Sequence, residues 1–199
     1  MTTFLLDTVG ESMALPSPAP TSMSLDQALE RRCSTRAFLP DGLSLAALSA
    51  LLWAACGVNR EQQGGRTAPS AHNWKEIDIY AVLAAGTYRY EPRTHRLFLI
   101  RVGDLRAHTG LQDFVGTAPL NLVYVADLGR MTEVDAKDRP FLAGADAGCI
   151  AQNVYLHCAA AGLATVVRAM IDRKQLAQAL GLPATHRIAL AQTVGHAKP

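Results

Sequence analysis

Residues 77–102 read IDIYAVLAAGTYRYEPRTHRLFLIRV, and this run decides the fold class. It holds three β-type segments, IDIYAVL at 77–83, GTYRYEP at 86–92 and RLFLIRV at 96–102, rich in the branched and aromatic residues that suit a pleated surface. EPRTH makes a turn between the last two, so the segments are expected to be neighbouring antiparallel strands. Further on, NLVYVA at 121–126 is a continuous apolar run suited to an interior strand, and HRIALAQTVGH at 186–196 is a last strand.

Helical signals interleave with these strands. Ser24 and Gln27 have capping-box spacing, predicting a helix from Leu25 to about Arg32. Leu45, Leu48, Leu51, Leu52 and Ala55 repeat at helical spacing between Ser44 as N-cap and Gly57. A long helix is expected from about Ala143 to Gly162, apolar on nearly all sides and so buried in a core or between subunits. A last one starts at Asp172, with Gln175 three residues on, and stops at Gly181. No regular βαβ rhythm links these elements. The class is therefore α+β, a mostly antiparallel or mixed sheet flanked by helices.

The chain has 199 residues, enough to bury roughly 70% of its unfolded surface in one core. Residues 14–22, ALPSPAPTS, close an extended arm over 1–23, and 24–199 form a single domain. With 19 Lys+Arg against 17 Asp+Glu the net charge is +2, which argues against a nucleic-acid or anionic-membrane partner. Any bound anion must be held by a local cluster. The first 20 residues lack a secretory pattern, and Gln152, Asn153 and His157 mark the uncharged run 147–167 as a core helix rather than a membrane span. Four scattered cysteines without C-x-x-C suggest a reduced, cytoplasmic chain, and neither they nor the six histidines show metal-ligand spacing.

No P-loop, dinucleotide fingerprint or hydrolase elbow is present. Two segments stand out instead. Between Val58 and Trp74 lies a loop of about 15 residues, NREQQGGRTAPSAHN, a length that is usually functional in a compact domain or else disordered. The other is Arg31-Arg32-Cys33-Ser34-Thr35-Arg36, where three guanidiniums and two hydroxyls within six residues can satisfy a phosphomonoester. The competing reading of this run is a set of cations complementing a helix C-terminus on a solvated face. Trp53 is read as core, Trp74 as a pocket-lining candidate, and Asp146 as a helix cap or the partner of a neighbour.

RRCSTRAF resembles the opening of the nitroreductase superfamily, FMN-dependent flavoproteins that include SagB-like dehydrogenases. LLWAACGVNR, GRTAPSAHNW, DAGCIAQNVYLHCAAAGLATVVRAM and TVGH follow in the family's order, from about Leu25 to His196. The resemblance implies the nitroreductase fold as an intertwined homodimer, with FMN at the interface and NADH or NADPH as hydride donor. It puts Arg32, Cys33, Ser34 and Arg36 on the FMN phosphate and pyrimidine side. Pro69, Ser70, Ala71, His72 and Asn73 would contact the flavin of the partner subunit. Val167, Arg168 and Ala169 would approach the flavin edge, although Arg168 and Ala169 depart from the family's small residue and Gly. Gly195 and His196 match the end of the last family strand, after which Lys198 is the only charged side chain. The acceptor would be electron-poor, a nitroaromatic or a quinone. The resemblance also admits a SagB-like dehydrogenase that oxidises its substrate, and a flavin-binding protein without turnover.

Overall fold

The structure, a computed structural model, describes residues 6–199; the first five residues of the arm lie outside the described set. Its centre is a seven-stranded sheet in the order β1-β6-β5-β4-β7-β9-β8. The strands are β1 (Ser12–Ala14), β4 (Ile77–Val82), β5 (Gly86–Glu91), β6 (Arg96–Val102), β7 (Leu120–Asp127), β8 (Ala164–Arg168) and β9 (His186–Gly195). Every pairing is antiparallel. The β4–β5–β6 meander is therefore as the opening run of sequence predicts. β7 is central, between β4 and β9, which explains its unbroken apolar text: both of its faces are covered.

Alternation along the strands divides the interior into two layers. Ile79, Ala81, Leu122 and Tyr124 point to one face, where α2 (Leu45–Cys56) and α3 (Arg139–Ala161) supply Leu48, Leu51, Leu52, Ile150 and Val154. Tyr80, Val82, Val123 and Val125 point to the other, where α4 (Arg173–Leu180) brings Leu176 and Leu180. The helix α1 (Leu25–Arg31) has the predicted capping box, with Ser24 Oγ accepting from Gln27 N–H and the Gln27 side chain accepting from Ser24 N–H. Asp172 likewise caps α4, and Gly181 ends it in the left-handed region.

Several details depart from the sequence reading. α3 begins at Arg139, four residues early, because Pro140 lies in its first turn, where proline needs no N–H partner. Residues 58–74 contain a small hairpin, β2 (Val58–Arg60) with β3 (Gly65–Arg66), and a 3-10 turn over Ala71–Asn73. The arm adds β1 to the edge of the sheet against β6 and buries Leu15 in the main core. Trp53, expected in the core, is 37% exposed on the outer side of α2 and donates from Nε1 to the Val58 carbonyl. Among the described residues no helix is long and apolar enough to cross a membrane.

Candidate functional site

The arginine-rich segment leaves α1 and runs in extended form beside β8, the edge strand. Thr35 N–H donates to the Thr165 carbonyl at 3.0 Å, so backbone bonding fixes the register of the segment. The chain end closes over it from the other side: Leu39 N–H donates to the His196 carbonyl at 2.9 Å and Lys198 N–H to the Ala37 carbonyl at 3.1 Å. Gly195, His196 and Lys198 are thereby brought beside residues 37–39. Among the described residues neither Arg32 nor Arg36 has a carboxylate partner; Arg32 lies over the Tyr155 ring, 5.4 Å from its centroid. Cys33 is exposed, with its sulfur 3.7 Å from Thr35 Oγ1.

Tyr155, on α3, ties this segment to β8. Its phenolic oxygen accepts from Val167 N–H at 2.9 Å and lies 2.8 Å from Ser34 Oγ. The hydroxyl thus fills the place that a neighbouring strand would take on the free edge of β8. The six-residue cluster is legible in sequence, but its anchor is not, since Ser34 and Tyr155 are 121 positions apart.

Arg168 turns inward, toward neither a cofactor edge nor solvent. It is 5% exposed, and its guanidinium donates to Thr193 Oγ1, to the Thr109 carbonyl and to Asn121 Oδ1 at 2.9–3.0 Å. Among the described residues no carboxylate pairs with it, and burial lowers its pKa to about 10. The side chain is a structural brace between β8, β9, β7 and the 106–110 turn. Of Val167–Ala169, the backbone of Val167 is tied to the arginine segment through the Tyr155 hydroxyl, and the Ala169 carbonyl accepts from Arg173.

The second group, Pro69–Asn73, docks elsewhere. Ala71 N–H donates to Asp146 Oδ2 at 2.7 Å, near the start of α3. Asp146 therefore serves as a loop anchor rather than a helix cap. Ser70 Oγ donates to Glu76 Oε2 at 3.1 Å and accepts from Lys75 N–H at 2.8 Å. Asp146 and Tyr155 are nine residues apart on one helix, about 13 Å of rise, so the two groups are anchored at separate places along α3. His72, Asn73 and Lys75 all have positive φ, at 48°, 58° and 54°, a conformation that costs of order 1 kcal/mol each and survives because the surrounding bonds impose it. The His72 ring stacks on Trp74 with centroids 4.4 Å apart.

Beneath the loop, Glu76 is fully buried, and its Oε1 has no hydrogen-bond partner outside the carboxyl pair it forms with Asp146. Burial first, and then the Asp146 charge, push Glu76 up to about 7, so this carboxyl holds a proton through the acid range. Burial also raises the thiols of Cys56, to about 12, and of Cys158, and leaves both unreactive.

The profile of the nitroreductase family matches residues 29–196. A relative from Methanocaldococcus jannaschii, named as a candidate nitroreductase, is 34% identical over 169 residues, covering 79% of this chain and 84% of its own. A crystal structure described as that of a candidate nitroreductase from Ralstonia eutropha JMP134 is 49% identical, with a TM-score of 0.91 over 98% of this chain and 93% of its own. The NADPH:FMN oxidoreductase of Vibrio harveyi, solved with NAD+, has the same fold at a TM-score of 0.66, with 20% identity over 88% of this chain and 69% of its own. This chain belongs to the nitroreductase family. It is an oxidoreductase with the α+β fold of that family.

Proposed function

We propose that the protein is an FMN-dependent oxidoreductase that takes hydride from NADH or NADPH and passes it to an electron-poor acceptor such as a nitroaromatic or a quinone. The observation that carries this reading is the pair of guanidiniums, Arg32 and Arg36, without a carboxylate partner among the described residues, on a segment that also carries Ser34 and whose backbone bonds to β8 at Thr35 and to Lys198 at Ala37. Three cations and a hydroxyl suit a phosphomonoester dianion, so the donor set fits riboflavin phosphate. When bound, FMN supplies the ring that accepts and releases hydride, and no protein nucleophile is required.

Arg32 with Lys198 holds the phosphate, and Arg36 places positive charge at the pyrimidine side, where reduction leaves negative charge. Cys33, Ser34 and the backbone of Val167–Ala169 orient the ring, with Gly195 and His196 closing the end. Pro69–Asn73, anchored at Asp146 about 13 Å along α3 from Tyr155, serves the site of a second copy. A homodimer also covers Leu25 and Leu29 of α1, which are 62% and 50% exposed beside the outer face of α3. The free cysteines accord with a cytoplasmic setting.

The visible spectrum of the purified protein, with the released chromophore identified by mass, tests the reading directly. Arg32→Ala and Arg36→Ala should each lower flavin occupancy while the far-UV CD stays unchanged. Both variants retaining a full complement of flavin would refute the assignment.

A further inference from the structure

The β2–β3 hairpin carries cations that the flavin cradle does not use. At the Gly64–Gly65 turn, the Cβ positions that the glycines leave open are flanked by three cationic heads. A Cβ on Gly64 would lie 3.2 Å from Arg93 Nη2 and 3.5 Å from Lys75 Nζ, and one on Gly65 would overlap the Arg60 guanidinium. Gly64 also has a φ of +61°, a backbone conformation that favours glycine. Among the described residues none of the three cations has a carboxylate within ion-pair distance; Arg60 makes only a 3.4 Å bond to the Arg66 carbonyl. Arg66, next in the chain, is likewise without a carboxylate. Glu91 accepts from the Arg93 backbone N–H at 3.1 Å without pairing its guanidinium, and like charges crowded round one turn without an ion-pair partner mark a place where an anion is favoured.

The turn opens on a cavity of about 530 Å³ lined by Trp53, Val58, Glu61, Pro92 and Arg93. The half-exposed Trp53 offers an aromatic face. Among the described residues Glu61 is the one carboxylate on the wall, and it makes no ion pair with the cations. Gly64 and Pro69 are five positions apart, at most about 17 Å of chain, so the cavity is within the span of a dinucleotide whose reactive ring lies at the 69–73 loop.

The geometry points to a phosphomonoester site on this hairpin that takes the 2′-phosphate of NADPH, with the adenine against Trp53. The inference rests on the donor being a nicotinamide nucleotide, and it makes NADPH the preferred one. Arg60, Lys75 and Arg93 neutralise the dianion, and a 2′-hydroxyl in its place leaves three cations unmatched. Binding of 2′-phospho-ADP-ribose, ADP-ribose and inorganic phosphate to the intact protein by calorimetry tests this without turnover.

The phosphorylated fragment should bind at least tenfold tighter than ADP-ribose, and in R60Q/R93Q the two should differ by less than twofold. Equal binding of the two fragments to the wild type, or a preference that survives in R60Q/R93Q, overturns the site. Inorganic phosphate binding as tightly as the fragment overturns the nucleotide assignment. A colourless protein that still prefers the 2′-phosphate would condemn the flavin reading and leave the phosphate site standing.

Discussion

Glu76→Gln should stabilise the protein at alkaline pH and leave it almost unchanged in acid. In the native chain this fully buried carboxyl faces Asp146, and its pKa rises from the ordinary 4.5 to about 7. A raised carboxyl pKa means that the folded state holds a proton that the unfolded state has already released between these two values. Stability therefore falls as pH climbs from 4.5 to about 7, and the loss is complete above that. The full shift corresponds to about 3.4 kcal/mol, and screening around the coupled pair reduces it to about 2 kcal/mol. Glutamine is neutral throughout, can donate to Asp146 and can still accept from Ser70. At pH 8 the variant should gain about 2 kcal/mol, or roughly 4–8 °C in Tm for a chain of this size. Urea titrations at half-unit pH intervals from 5 to 8.5 measure both slopes. Identical slopes for wild type and variant would refute the assignment of the proton to Glu76.

Two further tests concern the braces of the site. Arg168→Met should cost about 3 kcal/mol, because it strips Asn121, Thr193 and the Thr109 carbonyl of a charged donor. Gly110→Ala should cost about 2 kcal/mol, since its Cβ would overlap Arg168 Nη1; in the Arg168→Met background most of that penalty should vanish in a double-mutant cycle. Tyr155→Phe keeps the ring and loses the hydroxyl shared by Val167 N–H and Ser34. It should cost about 1–2 kcal/mol in denaturant titrations and weaken flavin retention about tenfold, measured by fluorescence on dilution.

Local rules made much of the fold legible. Ser24 with Gln27, and Asp172 with Gly181, announce helix ends because a cap needs only residues a turn apart. The β4–β6 meander is legible for the same reason. β1 was not, since three residues have no period of their own and pair only because β6 offers an edge. β8 was also missed as a strand: ATVVR is short and follows a helix at once. Trp53 misled because helical spacing says which residues share a face, not whether another element covers it.

The site divides in the same way. Arg31–Arg36 are adjacent in sequence and therefore visible as a cluster, whereas what holds them depends on contacts between distant positions. Tyr155 lies inside the apolar run of the long helix, and nothing local in the sequence singles out Glu76. Only the packing of α3 against both segments makes the first an anchor for the arginines and the second a buried acid beneath the 69–73 loop. These contacts fall about 13 Å apart along one rigid helix. In the proposed homodimer, each α3 would carry the arginine cradle of one site and the loop of the other. On that arrangement, loosening the Glu76–Asp146 anchor in one protomer weakens flavin retention at the site whose arginines belong to its neighbour.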